Sequence, residues 1–273
     1  MKYALFTGAT GGLGGLCVRA LSETNQWMIF ALGTNEVSLE KLGKLPNVVP
    51  IRVDITNQDS VNEGMLRVKE MTDQLDAIVN FAGLSHFTSL IEGDSIKAVE
   101  RLLNVNVLGM VRINHTFFEL LKKGKGRIIN CSSESGWMTP QPFAGPYILS
   151  KYAVEAYNDS LRRELLYLKI PVIKIQPGAY ETQLTQQING YFDQAMNETK
   201  YYKTLLAKMK PMMTMELNQK NDPKKLVKTV RKAMESKHPK RQYRVGTGRM
   251  LSIMELLPEG MIDFIYKQIF KRL

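Results

Sequence analysis

The chain has 273 residues, and its hydrophobic share of 44% is enough to bury a large core and too high for a disordered chain. Its two cysteines, Cys17 and Cys131, exclude a disulfide framework and a four-cysteine zinc site, and we expect both to be buried thiols in a reducing cytoplasm. The sequence has neither a leader pattern nor an apolar run of about 18 residues, so we expect a cytoplasmic protein that does not span a membrane.

The formal net charge of +11 is concentrated towards the C-terminus. Residues 1–196 contain 19 basic and 19 acidic side chains, whereas residues 197–273 contain 18 and 7. A basic face of this kind meets anionic lipids, an anionic substrate or nucleic acid, or is simply solvated. This stretch lacks a regular array of aromatic residues for base stacking, so we do not expect a nucleic-acid partner.

Short apolar runs and helical repeats alternate along the first two thirds of the chain. The apolar runs predict strands at residues 3–7, 28–32, 48–53, 77–80, 127–131 and 172–175. Helical spacing predicts helices at residues 13–22, 60–71, 96–121 and 147–168. This alternation predicts an α/β fold of the Rossmann type, a doubly wound parallel sheet with helices on both faces, which binds ligands at the carboxyl ends of its strands.

The C-terminal third is polar and rich in methionine. Nine of the 15 methionines fall between residues 196 and 261, and residues 183–217 predict no regular element. Methionine adapts to irregular apolar pockets, although it also packs ordinary cores. No linker divides the chain, so we expect residues 1–273 to form one domain, with a C-terminal helical cap over the substrate formed by about 183–220 and 246–273.

Three further signals lie in this third. Asp222 followed by Pro223 predicts a helix start, and residues 242–245 predict a last strand. Residues 250–270 have apolar side chains at helical spacing, interrupted at Pro258. Such a stretch packs against the cap or a partner subunit, or makes peripheral contact with a membrane surface.

Residues 7–14, TGATGGLG, directly follow the first strand and open a helix. Glycines at this point permit a tight turn and let the backbone and the helix N-terminus approach a pyrophosphate. The second strand ends in residues 32–35, LGTN, with neither an acid nor an arginine, so the sequence leaves the choice between NAD(H) and NADP(H) open. Asp54 follows the third strand, where it binds a base amine or forms a turn or helix cap.

Tyr147 and Lys151 lie four residues apart on a predicted helix and therefore share one face. A free tyrosine has a pKa of about 10, and a nearby ammonium favours the phenolate, so such a pair suits proton exchange with an alcohol or a carbonyl. Ser132 and Ser133 follow the predicted fifth strand, where a hydroxyl would orient the substrate oxygen or cap the next element.

Taken together, these motifs resemble the short-chain dehydrogenase/reductase family over almost the whole chain. The matching segments are TGATGGLG, VDIT at 53–56, NFAG at 80–83, NVNVLG at 104–109, NCSSESG at 130–136, YILSK at 147–151 and QPGAYET at 176–182. The resemblance implies catalytic roles for Asn106, Ser133, Tyr147 and Lys151. It implies cofactor contacts for Gly8, Thr10, Gly12, Leu13, Gly14, Thr34, Asp54, Ile55, Asn80, Ala82, Gly83, Tyr147, Lys151, Pro177, Gly178 and Thr182.

Several of these roles are specific. The resemblance implies that Asp54 contacts the adenine and that Asn80 steadies the central sheet beside the cofactor. Asn106 would hold a water in a proton relay, and Thr182 would contact the nicotinamide carboxamide. It also implies a homodimer or homotetramer, with apolar residues such as Val107, Leu108, Val111 and Phe117 along the interface.

Residues 150–165 and the tail segments SKHPKRQYRVG and LLPEGMID resemble the branch that contains retinol dehydrogenases, 17β-hydroxysteroid dehydrogenases and 3-hydroxybutyrate dehydrogenase. This implies NAD(P)-dependent interconversion of a hydrophobic secondary or lipid-like alcohol and its carbonyl, with NAD(H) slightly favoured. The chain departs from the family where Phe81 replaces a second asparagine and where Ser133 precedes Tyr147 by 14 residues rather than thirteen. Because the sequence enters a predicted strand at once, we expect no hydrophobic N-terminal anchor.

Other interpretations remain open. The substrate could be a small hydroxy acid such as 3-hydroxybutyrate, or the chain could be a non-catalytic NAD(P) sensor. The glycine spacing also fits nucleotide-sugar epimerases and dehydratases, although the chain length and the NFAG segment oppose that assignment. His86 and His115 are isolated, so we expect no metal site.

Overall fold

The computed structural model describes residues 1–217, 221–248, 252 and 254–271. Its centre is a seven-stranded sheet of order β3-β2-β1-β4-β5-β6-β7, in which every pairing is parallel. The strands are β1 Lys2–Thr7, β2 Trp27–Gly33, β3 Val48–Arg52, β4 Ala77–Asn80, β5 Arg127–Cys131, β6 Val172–Pro177 and β7 Gln242–Val245. The order reverses between β1 and β4, which confirms the doubly wound α/β fold.

Helices connect these strands on both faces of the sheet. They are α1 Gly12–Ser22, α2 Glu36–Gly43, α3 Gln58–Lys69, α4 Ser95–Leu103, α5 Met110–Thr116, α6 Phe118–Lys123, α7 Gly145–Leu166, α8 Gln183–Glu198, α9 Lys203–Leu217, α10 Pro223–Glu235 and α11 Glu259–Lys271. Asp222 caps α10 by accepting a hydrogen bond from the Lys224 N–H at 2.9 Å, as the sequence predicted. None of the helices in these residues is long and apolar enough to cross a bilayer.

The single helix predicted over residues 96–121 is wrong in detail. The chain forms α4, then a π-helical turn over Asn104–Gly109, and then α5 and α6. Gly109 packs so closely that a β-carbon there would lie 2.5 Å from Ile55 Cδ1, while the side chain of Asn106 reaches the backbone of Leu84. Both contacts are made with residues outside this segment. The spacing of apolar residues within the segment therefore could not predict the π-helical turn.

Consecutive residues of β1 point to opposite faces of the sheet. Phe6 joins a core cluster formed with α1 and α10, whereas Leu5 joins a second cluster formed with α3, α5 and α7. Phe117 is completely buried in that second cluster, so it supports the sheet and not an outward face, contrary to the expectation from sequence.

Residues 183–217, for which the sequence predicted no regular element, form α8 and α9 with a short connection between them. Phe192 of α8 and Leu206 of α9 pack against Phe87 and Phe143 in a third apolar cluster, separate from the two sheet cores. The helix α11 packs against α9, where Lys208 Nζ donates to the Phe270 carbonyl at 2.7 Å. We call α8, α9 and α11 the cap.

Some methionines of the C-terminal third pack together and others do not. Met196, Met209 and Met213 pack in the cap cluster, and Met213 also lines the cleft described below, whereas Met234 is buried in the sheet core. On α11, Ile262 is buried but Met261 is half exposed, so the apolar stripe predicted there is only partly turned inward. Residues 218–220, 249–251, 253, 272 and 273, which belong to the predicted cap regions, lie outside the described residues.

Candidate active site

A cleft of about 790 Å³ lies at the carboxyl ends of β1 to β6. This is where a doubly wound sheet binds its ligands, because the strand order reverses here. Sixteen residues predicted from the sequence line it: Gly8, Thr10, Gly12, Leu13, Gly14, Thr34, Asp54, Ile55, Ala82, Gly83, Ser133, Tyr147, Lys151, Pro177, Gly178 and Thr182.

The glycine turn after β1 has no room for side chains. Gly8 has a φ of +63°, and a β-carbon there would lie 2.5 Å from the Ala82 nitrogen. A β-carbon on Gly14 would lie 2.4 Å from the Gly8 carbonyl oxygen. No side chain caps α1, so its first N–H groups stay available to an anion. This tight cradle fits the pyrophosphate of a dinucleotide.

The far end of the cleft is formed by the residues that follow β2 and β3. Asp54 Oδ1 accepts hydrogen bonds from the Thr56 N–H at 2.9 Å and the Thr56 hydroxyl at 2.7 Å, which establishes the turn role for this residue. Asp54 Oδ2 takes part in neither of these bonds, so it is available to bind a base amine as well. Asn35 caps α2 by accepting a hydrogen bond from Ser38 N–H at 2.8 Å. The nearby Arg52 pairs with Glu36 at 3.1 Å.

Tyr147 and Lys151 lie in the first two turns of α7 and project into the cleft. Lys151 is only 5% exposed, and its Nζ lies 5.7 Å from the Tyr147 ring centroid. The same ammonium donates to the Cys131 carbonyl at 3.2 Å, which fixes it beside the end of β5. The predicted helical face therefore brings the phenol and the ammonium together.

Ser133 lies directly after β5 in the wall of the cleft and is almost buried. Its Oγ accepts a hydrogen bond from the Ser135 N–H at 3.1 Å, so its hydroxyl hydrogen remains available to an oxygen in the cleft. Ser132 Oγ is buried, and no hydrogen-bond partner for it is found among the described residues. The longer spacing to Tyr147 does not move Ser133 out of the cleft.

Asn106 is completely buried in the π-helical turn. It accepts a hydrogen bond from the Leu84 N–H at 2.7 Å and donates to the Leu84 carbonyl and to Ser150 Oγ, both at 2.9 Å. A β-carbon on Gly83 would lie 3.4 Å from Asn106 Oδ1 and 3.6 Å from Lys151 Nζ. The missing side chain of Gly83 therefore leaves a small space between the amide and the ammonium.

Asn80 does not line the cleft. Its Nδ2 donates to Asn114 Oδ1 at 2.8 Å and to Asn130 Oδ1 at 3.0 Å, and Asn130 in turn donates to Asn158 Oδ1 at 3.1 Å. All four side chains are buried. The structure thus places Asn80 inside the central sheet, beside the cofactor cleft but without a side chain in it.

The opposite wall follows β6. Thr182 caps α8 in a reciprocal pair with Thr185, and its methyl group fills the position that a β-carbon on Gly12 would take, 2.6 Å away. Gly178 is equally enclosed, because a β-carbon there would lie 1.9 Å from the Gly246 carbonyl oxygen. Both residues are therefore fixed at the floor of the cleft.

Sequence reasoning missed several residues that line the cleft. They are His86, Arg101, Glu134, Gln141, Ile188 and Met213. Glu134 Oε2 accepts a hydrogen bond from the Gly248 N–H at 2.9 Å, which ties the segment after β7 to the turn after Ser133. These residues belong to loops and cap helices, whose positions no local pattern predicts.

Burial dominates the electrostatics around the cleft. It raises the pKa of Cys131 to about 11 and that of Tyr180 to about 12, because ionised forms are poorly solvated there. Burial and then the charge of Arg101 lower the pKa of His86 below its usual value. No cluster of potential metal ligands is found among the described residues.

The class of protein follows from the fold, the glycine cradle and the Ser133, Tyr147 and Lys151 arrangement. The family model for short chain dehydrogenases matches residues 2–191, which is more than half of the chain. The chain belongs to this family and is an NAD(P)-dependent oxidoreductase.

Its relatives place it near the retinol dehydrogenase branch. It is 29% identical to retinol dehydrogenase 7 of Mus musculus over 279 residues, which cover 96% of this chain and 86% of that protein. It is 27% identical over 288 residues to short-chain dehydrogenase/reductase family 9C member 7 of Mus musculus, covering 99% of this chain and 90% of that protein.

Solved structures share the fold. A short chain dehydrogenase/reductase from Burkholderia phymatum in complex with NAD has a TM-score of 0.77 at 19% identity, covering 96% of this chain and 94% of that one. An alcohol dehydrogenase from Thermococcus sibiricus complexed with 5-hydroxy-NADP has a TM-score of 0.73 at 22% identity, covering 95% and 99%. These neighbours hold different cofactors in the same fold.

Proposed function

We propose that this oxidoreductase interconverts a hydrophobic secondary or lipid-like alcohol and its carbonyl, with Tyr147 as the acid and base. The observation that carries the proposal is the placing of Tyr147 and Lys151 in a cleft that continues into the apolar cap. A bound nicotinamide supplies or accepts the hydride in such a reaction.

The side chains of the protein transfer the proton and orient the substrate. The Ser133 hydroxyl donates a hydrogen bond to the substrate oxygen and holds it against the phenol of Tyr147. In carbonyl reduction Tyr147 gives its proton to that oxygen, and in alcohol oxidation it takes the proton back. The Lys151 ammonium stabilises the phenolate electrostatically. Asn106 and the space at Gly83 would hold a water that returns the proton to solvent.

We propose NAD(H) as the preferred cofactor. The cleft residues after β2 and β3, Thr34, Asp54 and Ile55, provide no cation for a 2′-phosphate. The guanidinium of Arg52 is paired with Glu36 and does not line the cleft. Thr34 and the free oxygen of Asp54 would bind the ribose and the adenine amine.

A hydrophobic substrate is favoured by the cap side of the cleft. Ile188 of α8 and Met213 of α9 line it, and Phe87 beside them packs against Phe192 at a ring distance of 5.3 Å. Apolar walls of this kind bind flexible or flat lipid-like bodies. Relatives of the chain include retinol dehydrogenases 7 and 16 of Mus musculus, whose names agree with such substrates.

A cofactor-reduction screen with purified protein tests the proposal. Retinol and hydroxysteroids should be oxidised with a higher kcat/KM than 3-hydroxybutyrate. Turnover of 3-hydroxybutyrate alone would favour the small hydroxy acid instead. Cofactor binding without turnover of any class would favour a sensor.

We also propose that the protein forms a homodimer or homotetramer through α4, α5 and α7. Leu108 and Leu149 are both about half exposed, at 47% and 48%, on this side of the molecule. A second copy of the chain packed on this side would bury both leucines and remove their apolar surface from water. Light scattering of the purified protein should give twice or four times the chain mass, and a monomer would contradict the proposal.

We also propose that the protein makes reversible contact with membranes through the cap. Met261, Phe264 and Lys267 are exposed at successive turns of α11, and Met215 of α9 is also exposed. Apolar and basic side chains in this arrangement bind anionic bilayers. Sedimentation with anionic vesicles should show binding at low salt that is lost at high salt. The absence of binding at low salt would exclude it.

A further inference from the structure

The cleft lining includes an arginine, Arg101, to which the proposed function assigns no role. Arg101 of α4 is exposed to solvent and belongs to the lining of the cleft, and no hydrogen bond or ion pair joins it to any other residue that the structure describes. The next arginine along the chain, Arg112, behaves differently and donates to Asn104 Oδ1 at 3.0 Å. Of the two ammonium or guanidinium groups in the described lining, Lys151 is engaged with Tyr147 and the Cys131 carbonyl.

Arg101 shares the lining of the cleft with His86. The ring of His86 lies 4.2 Å from the ring of Tyr191 on α8, so this part of the lining borders the cap. Because burial and Arg101 both lower the pKa of His86, its imidazole is neutral at pH 7. Arg101 is therefore the source of positive charge here, and His86 can add a neutral N–H donor.

An apolar wall of the same cleft begins next to His86. Phe87 follows His86 in the chain and packs with Phe143 at 5.7 Å and with Phe192 at 5.3 Å. Gln141 and Gln187 add amide groups to the same lining. A cation with amide donors at the edge of an apolar wall is complementary to an amphiphile with an anionic head and a long hydrocarbon body.

We infer that Arg101 binds the carboxylate of the substrate, so that the substrates are hydroxy or keto acids with a long apolar body. The planar guanidinium matches a carboxylate with two parallel hydrogen bonds, which a lysine cannot reproduce. This inference rests on the proposed function for the reacting alcohol or carbonyl. The cofactor phosphates are the other anions that could reach Arg101, and the experiment below separates the two sources.

Calorimetry of the NADH-bound protein with decanoate and with decanamide tests the inference, because the two probes differ mainly in charge. The wild type should bind decanoate about 10- to 100-fold more tightly, the range expected for a charge-assisted pair. Arg101→Gln should remove this preference, and Arg101→Lys should keep part of it. Lys97→Gln is the matched control, since Lys97 is an exposed residue of α4 paired with Asp94 at 3.2 Å.

Other calorimetric outcomes overturn the inference. Equal binding of the two probes by the wild type would do so, as would a preference that survives in Arg101→Gln. Weaker NADH binding in that variant with an unchanged decanoate preference would assign Arg101 to a cofactor phosphate. Oxidation of 2-decanol and of 9-hydroxydecanoate, measured separately, tests the proposed function, because the second alcohol also carries the carboxylate that Arg101 would bind. A decanoate preference without turnover of either alcohol would remove the proposed function and leave the carboxylate site standing.

Discussion

The ammonium of Lys151 lies 5.7 Å from the ring centroid of Tyr147 and is held there by the Cys131 carbonyl, 3.2 Å from Nζ. One end of β5 therefore fixes the cation, and α7 presents the phenol beside it. This geometry supports the proposal that the phenol of Tyr147 is the acid and base of the cleft, with the ammonium of Lys151 beside it.

Tyr147→Phe should lower kcat by roughly 10²–10⁴-fold, because it removes the group that transfers the proton. NADH binding should stay close to the wild-type value, since the ring itself is kept. Steady-state kinetics and fluorescence titration with NADH measure the two effects. Tyr167→Phe, the same change at a residue that is 90% exposed, is the control and should alter neither. Near wild-type turnover of the Tyr147 variant would remove Tyr147 from the mechanism.

Gly14→Ala should abolish cofactor binding. The new methyl group would lie 2.4 Å from the Gly8 carbonyl oxygen, a backbone atom that cannot move without distorting the turn. Calorimetry with NADH measures the loss. The matched control is Gly190→Ala in the middle of α8, where nothing lies within 4 Å of the added carbon. That variant should bind NADH normally and gain up to about 1 kcal/mol of helix stability. Normal binding by Gly14→Ala would mean that the cofactor does not use this turn.

Thr34→Arg should raise kcat/KM for NADP⁺ by about tenfold or more. It would place a cation after β2, where the wild-type cleft has none for a 2′-phosphate, and one charge-assisted bond is worth about that factor. Thr34→Gln tests length without charge and should not improve the use of NADP⁺. Kinetics with both cofactors decide the matter, and a wild type that already prefers NADP⁺ would contradict the proposed NAD(H) preference.

Asn80→Ala should lower the free energy of unfolding by about 1–3 kcal/mol. It would leave the buried Oδ1 of Asn114 without its donor from Asn80, and Asn130 Oδ1 would keep only the longer bond from Asn114 Nδ2 at 3.4 Å. An unsatisfied buried group costs about that much. Urea denaturation followed by circular dichroism measures the change. Asn62→Ala on the exposed face of α3 is the control and should stay within about 0.5 kcal/mol of the wild type. An equally small effect at Asn80 would show that the buried amide network adds nothing to stability.

The two thiols should be unreactive in the folded protein at pH 8. Burial raises the pKa of Cys131 to about 11 and also raises that of Cys17, so both keep their protons. An aromatic disulfide reagent should release no colour until guanidinium chloride unfolds the chain, when both thiols react. The unfolded chain ionises first as the pH rises above the ordinary thiol value of 9.0, so stability should fall between pH 9.0 and about 11. Rapid reaction of the native protein would contradict this.

Much of the fold was available from local sequence patterns. The strands at residues 77–80, 127–131 and 242–245 have the predicted bounds, and Asp222 caps α10 as its type and position indicated. The buried strands of a parallel sheet appear in the sequence as short apolar runs, and a helix cap depends on residues within one turn of it. Both features can therefore be predicted from residues that are close together in the sequence.

The sequence by itself determined the class of protein, because the glycine turn and the Tyr147–Lys151 spacing are local and their order along the chain is specific. Only the tertiary structure decided what surrounds them: the π-helical turn at Asn106, the enclosure of Gly178 by Gly246, and the presence of Arg101 and His86 in one cleft lining. These features arise from contacts between residues far apart in the chain, and the periodicity of one segment holds no information about the segment that packs against it.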